Sequence, residues 1–168
     1  SNVGDVDMKT DKKADMKTDV TKNDMGLDGI DFVEFASPQP EKLDALFKHF
    51  GFSRLLKHQD LNIDYFRQND IHFFLNKEPM SFADSFAQTH GPAICSMGWR
   101  VKNAKHAFEK AVERGARPAN KRDYPELPAI YGIGDSLIYF VEDYKNPKRY
   151  EDMGFVTHPH VQKVADKG

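Results

Sequence analysis

Gly26-Leu27-Asp28-Gly29-Ile30-Asp31-Phe32-Val33-Glu34-Phe35-Ala36-Ser37-Pro38 is the stretch on which the fold turns. Ile30, Phe32 and Val33 to Ala36 read as a strand, closed at Ser37-Pro38 because proline cannot donate to a ladder. Pro40 then suits the first turn of a helix. Leu43, Leu46, Phe47 and Phe50 fall at helical spacing as one apolar stripe, and Gly51 supplies the stop. Phe52 to His58, Ile63 to Gln68 and Ile71 to Asn76 follow as strands, the last two joined by a tight turn at Asn69-Asp70. The order is βαβββ. After a short helix carrying Phe82 and Phe86, ended by Gly91-Pro92, the same order restarts. Ile94 to Val101 is a strand, and Asn103 caps a helix whose apolar face is Ala104, Ala107, Phe108, Ala111 and Val112, with Gly115 as its stop. This second unit is the weaker copy. Pro118, Pro125 and Pro128 interrupt it, leaving Ala129 to Tyr131 and Leu137 to Val141 as its later strands.

The flanks differ in composition. Residues 1–25 contain six Asp, five Lys and no aromatic residue, and Asp7-Met8-Lys9-Thr10-Asp11 recurs as Asp15-Met16-Lys17-Thr18-Asp19. Nothing there offsets the entropy of ordering, so a disordered charged tail is expected. Residues 26–144 are the expected domain. From Lys145 the chain turns to Asn146, Pro147, Lys148 and Arg149 with scattered apolar residues, and 145–168 is expected to be a linker. With 24 basic against 26 acidic residues and a net charge of −2, no field for nucleic acid or an anionic membrane is expected. The single cysteine, Cys95, lies beside Ala93 and Ile94 and reads as a buried thiol of a cytoplasmic protein.

Two consecutive βαβββ units resemble the vicinal-oxygen-chelate, or glyoxalase-like, superfamily, whose paired modules curl into a half-barrel around a cleft. The fold class expected is therefore α+β. The opening stretch, continued by Pro40-Glu41-Lys42-Leu43 and Phe50-Gly51-Phe52, resembles bacterial 4-hydroxyphenylpyruvate dioxygenases. So do Tyr65-Phe66-Arg67-Gln68, Phe74-Leu75-Asn76, His90-Gly91-Pro92, Arg100-Val101-Lys102, Pro128-Ala129-Ile130 and Gly132-Ile133-Gly134, in the family's order. The resemblance implies a two-domain enzyme that converts 4-hydroxyphenylpyruvate and O2 to homogentisate in tyrosine breakdown. It also implies a homo-oligomer whose Fe(II) sits in a C-terminal catalytic domain of the same polypeptide, on two histidines and a glutamate. By the same comparison the triad positions here hold Gly29, Ser96 and Tyr139 or Phe140, so this chain is expected to carry no catalytic residue and no metal or other cofactor.

Other residues invite chemistry. Strand alternation puts Asp31 with Val33 and Ser96 with Gly98 and Arg100 on cleft-facing surfaces, and because the resemblance implies that the opening strands of the two modules lie near each other, an Asp31–Arg100 ion pair across the seam is the expected arrangement. His72, on a strand with Phe74, is the third cleft candidate, with packing its simpler role. Trp99 is expected to pack under a helix. His158-Pro159-His160 has a ligand-like spacing but falls in the expected linker, and His49, His58, His90 and His106 are expected to be exposed. Two alternatives to the dioxygenase half stand beside it: a free-standing module that binds an aromatic acid through Arg100, and a glyoxalase or bleomycin-resistance type metalloenzyme.

Overall fold

The computed structural model describes residues 23–164. In chain order the elements are β1 (Leu27–Ala36), α1 (Pro40–His49), β2 (Ser53–His58), β3 (Ile63–Gln68), β4 (Ile71–Asn76) and α2 (Phe82–His90). Then come β5 (Ala93–Val101), α3 (Ala104–Glu113), β6 (Ala129–Tyr131), a 3-10 turn (Ile133–Asp135), β7 (Leu137–Val141), α4 (Arg149–Asp152) and β8 (Phe155–Gln162). Local chemistry explains the helix starts. Pro40 occupies the first turn of α1. Ser81 Oγ accepts from Asp84 N at 3.0 Å to open α2, and Asn103 Oδ1 accepts from His106 N at 2.9 Å to open α3.

All eight strands form one sheet in the order β6-β7-β5-β1-β4-β3-β2-β8. The two units are visible as β1-β4-β3-β2 and β5-β7-β6, each opening on a parallel pair, and antiparallel β1–β5 pairing joins them. The second unit lacks one strand. In its place an isolated Pro118↔Ile130 bridge lies beside β6, because the prolines of this segment remove the donors a full ladder needs. The sheet curls: Leu137, Tyr139 and Val141 of β7 share one buried cluster with Phe155 of β8, although the two strands lie on opposite wings. Phe32 sits in the middle of that concave core, stacked on Phe74 at 4.4 Å between ring centroids. Its ring crosses β5 at Gly98, where a Cβ would stand 2.2 Å from Phe32 Cε2, so only glycine fits. On the convex side α1 covers Phe35, Phe66 and Phe73 with Phe47, and α3 covers Val101 and Phe140, with Trp99 packed beside them.

Several expectations need correction. The stretch expected to be a linker is structured as far as Val164: α4 buries Tyr150, and β8 buries Phe155 and pairs antiparallel with β2. Two aromatic anchors suffice where the surrounding charges concealed them. Residues 1–22 and 165–168 lie outside the described residues, but the last residues of the expected tail belong to the fold. Asp24 pairs with Arg114, and Met25 packs against the α3 cluster. The α1 stripe is narrower than its spacing suggests, with Phe47 buried and Leu46 and Phe50 left 45% and 67% exposed. Finally, the β1–β5 register shifts between Ile30 and Phe32, so Asp31 and Phe32 both reach the concave side and Val33, paired with Phe73, lies on the convex one.

Candidate functional site

The positions comparable to an iron triad are not brought together as donors. Gly29 lies in open surroundings, with nothing within 4 Å of where a Cβ would stand. Ser96 Oγ donates to Glu34 Oε1 at 2.7 Å, and the Tyr139 hydroxyl oxygen accepts from the backbone N–H groups of Asp123 and Tyr124 at 3.0 and 3.4 Å. Phe140 is buried on the α3 side. Phe32, Phe74, Tyr124 and Tyr139 fill the space between the strands. A ferrous ion needs convergent N/O donors with open positions, and these side chains do not supply them. Among the described residues no group of three or more His, Cys, Asp or Glu is placed to hold a metal.

What the concave face holds instead is a carboxyl shielded from solvent. Glu34 is wholly buried on β1. Its Oε1 also accepts from Cys95 Sγ at 3.5 Å, and its Oε2 from Asn76 Nδ2 at 3.3 Å and from the Tyr124 hydroxyl. Burial, with the nearby Asp123 charge, pushes the Glu34 carboxyl up to about 7 despite these donors. Asn76 Nδ2 reaches Asp123 Oδ2 as well, at 3.1 Å, and Asp123 accepts from Phe82 N and Ala83 N at the start of α2. A cleft of about 810 Å³ opens outside this network, with His58, Asn76, Arg122, Asp123 and Tyr124 in its walls. Sequence reading offered no signal for Glu34, since an isolated glutamate on a strand usually marks a solvated face.

The structure brings Asp31 and Arg100 together, with Arg100 Nε 3.1 Å from Asp31 Oδ1. Two residues at the start of α4 join them. Arg149 donates through Nη2 to Asp31 Oδ1 at 2.7 Å and through Nε to Oδ2 at 3.1 Å, and the Tyr150 hydroxyl donates to Oδ2 at 2.8 Å. Burial pushes the Asp31 carboxyl up, but the Arg149 and Tyr150 hydrogen bonds and the Arg149 charge outweigh it and hold Asp31 below the ordinary carboxylate range. His72 is buried beside this cluster, its Nδ1 2.7 Å from the Tyr65 hydroxyl. Burial and then the Arg149 charge lower it to about 4, so it is neutral at physiological pH.

Two histidines expected to be solvated are buried. His58 Nδ1 accepts from Asp60 N and Leu61 N at 3.1 Å, which leaves Nε2 to donate to Met153 O at 2.9 Å and tie β2 to the α4–β8 turn. His158 Nδ1 accepts from His160 N, so its Nε2 donates to Asp64 Oδ1 at 3.0 Å, while Lys77 Nζ stands 2.7 Å from Asp64 Oδ2. Burial lowers His158 below its ordinary value against the opposing pull of Asp64. His49, His90, His106 and His160 are exposed. Asp31, Glu34, His58 and His158 are each bonded to groups on other elements, contacts that tie distant parts of the chain together.

The family described as hydroxyphenylpyruvate dioxygenase, HPPD, N-terminal matches residues 21–156. Protein MelA of Shewanella colwelliana is 46% identical over 163 residues, covering 88% of this chain and 47% of that protein. The 4-hydroxyphenylpyruvate dioxygenase of Pseudomonas sp. (strain P.J. 874) is 38% identical over 141 residues, covering 82% of this chain and 40% of that one. A solved xylose isomerase-like TIM barrel/4-hydroxyphenylpyruvate dioxygenase fusion protein superposes with a TM-score of 0.73 at 30% identity, over 84% of this chain and 23% of its own. The chain spans about half the length, or less, of the curated relatives it matches. With the same βαβββ pairing seen in its sheet, the chain belongs to the hydroxyphenylpyruvate dioxygenase N-terminal domain family.

Proposed function

We propose that this chain is the N-terminal, structural half of a 4-hydroxyphenylpyruvate dioxygenase that acts in tyrosine catabolism, with Fe(II) and the chemistry held by a C-terminal half of the same polypeptide. One observation carries the reading: where a metal-holding module would present donors, Ser96 Oγ is bound to Glu34 and the aromatic rings of Phe32 and Tyr139 occupy the concavity. The role left to such a module is scaffolding and assembly. The buried thiol Cys95 suits the reducing cytoplasm, and no described helix is long and apolar enough to cross a membrane.

The test is iron content after anaerobic reconstitution, together with oxygen uptake in 4-hydroxyphenylpyruvate and ascorbate. The 168-residue chain is expected to take up neither iron nor oxygen. A longer polypeptide that continues into a second domain is expected to do both. Stoichiometric iron with substrate-dependent uptake in the 168-residue chain refutes the proposal.

A further inference from the structure

Asp31 cannot satisfy both guanidinium groups that reach it. An ionised carboxylate offers about four acceptor positions, and all are taken: Oδ1 by Arg100 Nε and Arg149 Nη2, Oδ2 by Arg149 Nε and the Tyr150 hydroxyl. Arg149 also donates through Nη1 to Asn146 O at 3.0 Å, so each of its nitrogens is engaged. Arg100 is left short. Its side chain is only 27% exposed, yet Nη1 and Nη2 meet no acceptor among the described residues.

The surroundings add donors and positive charge. Arg67 is the Cα partner of His72 on the β3–β4 ladder and so shares its face, and only its Nε is engaged, by Asn69 O. The charges that act on His72 are those of Arg149, Arg67 and Arg100 against the single carboxylate of Asp31, while Asp28 stands by the Tyr144 hydroxyl. His72 itself is 7% exposed. The Tyr65 hydroxyl has no other acceptor among the described residues, so it donates to Nδ1 and the ring proton sits on Nε2, which has no partner there either. Tyr150 sets this ring beside Asp31, with its own ring centroid 5.1 Å from that of His72 and its hydroxyl on Asp31 Oδ2.

Arg100 is held in place. It comes from β5, across β1 from His72 on β4, and reaches Asp31, so its guanidinium lies over β1. Asp31 fixes its Nε edge, and the Tyr144 ring lies 5.6 Å from the guanidinium carbon. A guanidinium fixed on one edge loses little further freedom when its other edge is used, and two parallel N–H groups match the two oxygens of a carboxylate. We propose that the mouth of the concave face, at Arg100, Arg67 and His72, is a binding site for a small organic carboxylate, whose oxygens accept from Arg100 Nη1 and Nη2. A phosphate group fits less well. It brings three acceptor oxygens and up to two charges, and Arg100 supplies the one fork that is both fixed and free.

Titration of the 15N-labelled 168-residue chain with benzoate at neutral pH, followed at the His72 ring nitrogens, tests this. Benzoate supplies the carboxylate, and its phenyl ring shifts the resonances of any group beside it. The expected result is a saturable shift with a dissociation constant on the order of 1 mM, absent with benzamide, which keeps the shape without the charge. Arg100→Gln should weaken binding roughly tenfold or more, and because Arg149 still holds Asp31 the variant is expected to fold. A shift that has not begun to saturate at about 50 mM overturns the proposal. So does an equal shift with chloride at the same ionic strength, which means an adventitious ion only, or with benzamide. A folded Arg100→Gln chain that binds benzoate as the wild type does overturns it too, and inorganic phosphate that displaces benzoate at lower concentration overturns the ligand class. Should the variant misfold, the benzoate, benzamide, chloride and phosphate titrations of the wild type still decide.

Discussion

Glu34→Gln removes one ionisable group from the driest part of the core and keeps its size. In the folded chain burial raises this carboxyl from 4.5 to about 7, so between those values the unfolded chain releases a proton that the folded chain keeps. Stability from this group is therefore fully present below pH 4.5 and is lost as pH rises through 7. At 1.36 kcal/mol per unit the loss comes to about 3 kcal/mol, a large share of a small domain's net stability. Glutamine cannot ionise and leaves that window flat. Urea unfolding of both proteins at a series of pH values from about 4.5 to 8.5 measures it as a difference, in which every other titrating group cancels. Wild-type stability relative to the variant should fall by about 3 kcal/mol across the series. A difference constant within about 0.5 kcal/mol refutes the reasoning, and would mean that the Ser96, Asn76 and Tyr124 donors keep the carboxylate ionised in spite of its burial.

The other expectations concern packing and pairing. Phe47→Ala should cost about 3–5 kcal/mol in urea unfolding of the dilute protein, whereas Phe50→Ala, on the same helix, should cost less than about 0.5 kcal/mol; equal losses would place both rings in the core. Asp31→Ala leaves Arg149 buried without its partner and should cost about 3–5 kcal/mol, against little change if water replaces the carboxylate. Gly98→Ala forces the Phe32 ring off its stack and should lower the melting temperature by several degrees, a loss of about 1–3 kcal/mol. Ending the chain at Tyr144 removes Tyr150, Phe155 and His158 and should abolish cooperative unfolding, a result that a dispensable linker would not produce.

Much of the architecture was open to sequence reading because its signals are local. The cap at Asn103, the stops at Gly51, Gly91 and Gly115, and the strands 63–68 and 71–76 with their turn at Asn69-Asp70 depend on neighbours a few residues away. The site was legible only in part. Asp31 and Arg100 could be matched because the resemblance to glyoxalase-like proteins implies that the opening strands of the two modules lie near each other. Arg149 and Tyr150 could not, since a run of charge around Lys145 and Lys148 has the same composition whether it is solvated or folded back on a carboxylate. His58 and His158 were hidden for a similar reason: what buries them is a strand pairing between distant parts of the chain, and no local pattern announces such pairing. Glu34 shows the same limit from the other side. The partners that make a buried glutamate tolerable, Ser96 and Tyr124, lie 62 and 90 residues away along the chain.

The pairing of β8 with β2 also sets an order of events during synthesis. Strand β2 lies at the outer side of the first module, and its second neighbour is the last strand of the described residues. At translation rates of about 5–20 residues per second, the interval between Arg54 and its partner Gln162 leaves that edge bare for on the order of 5–20 s. A nascent chain in this state presents an unpaired ladder to other nascent chains or to chaperones. Folding is then gated by the ribosome's progress rather than by the speed of the first module, and slow codons placed between the two partners should increase misassembly more than the same codons placed downstream.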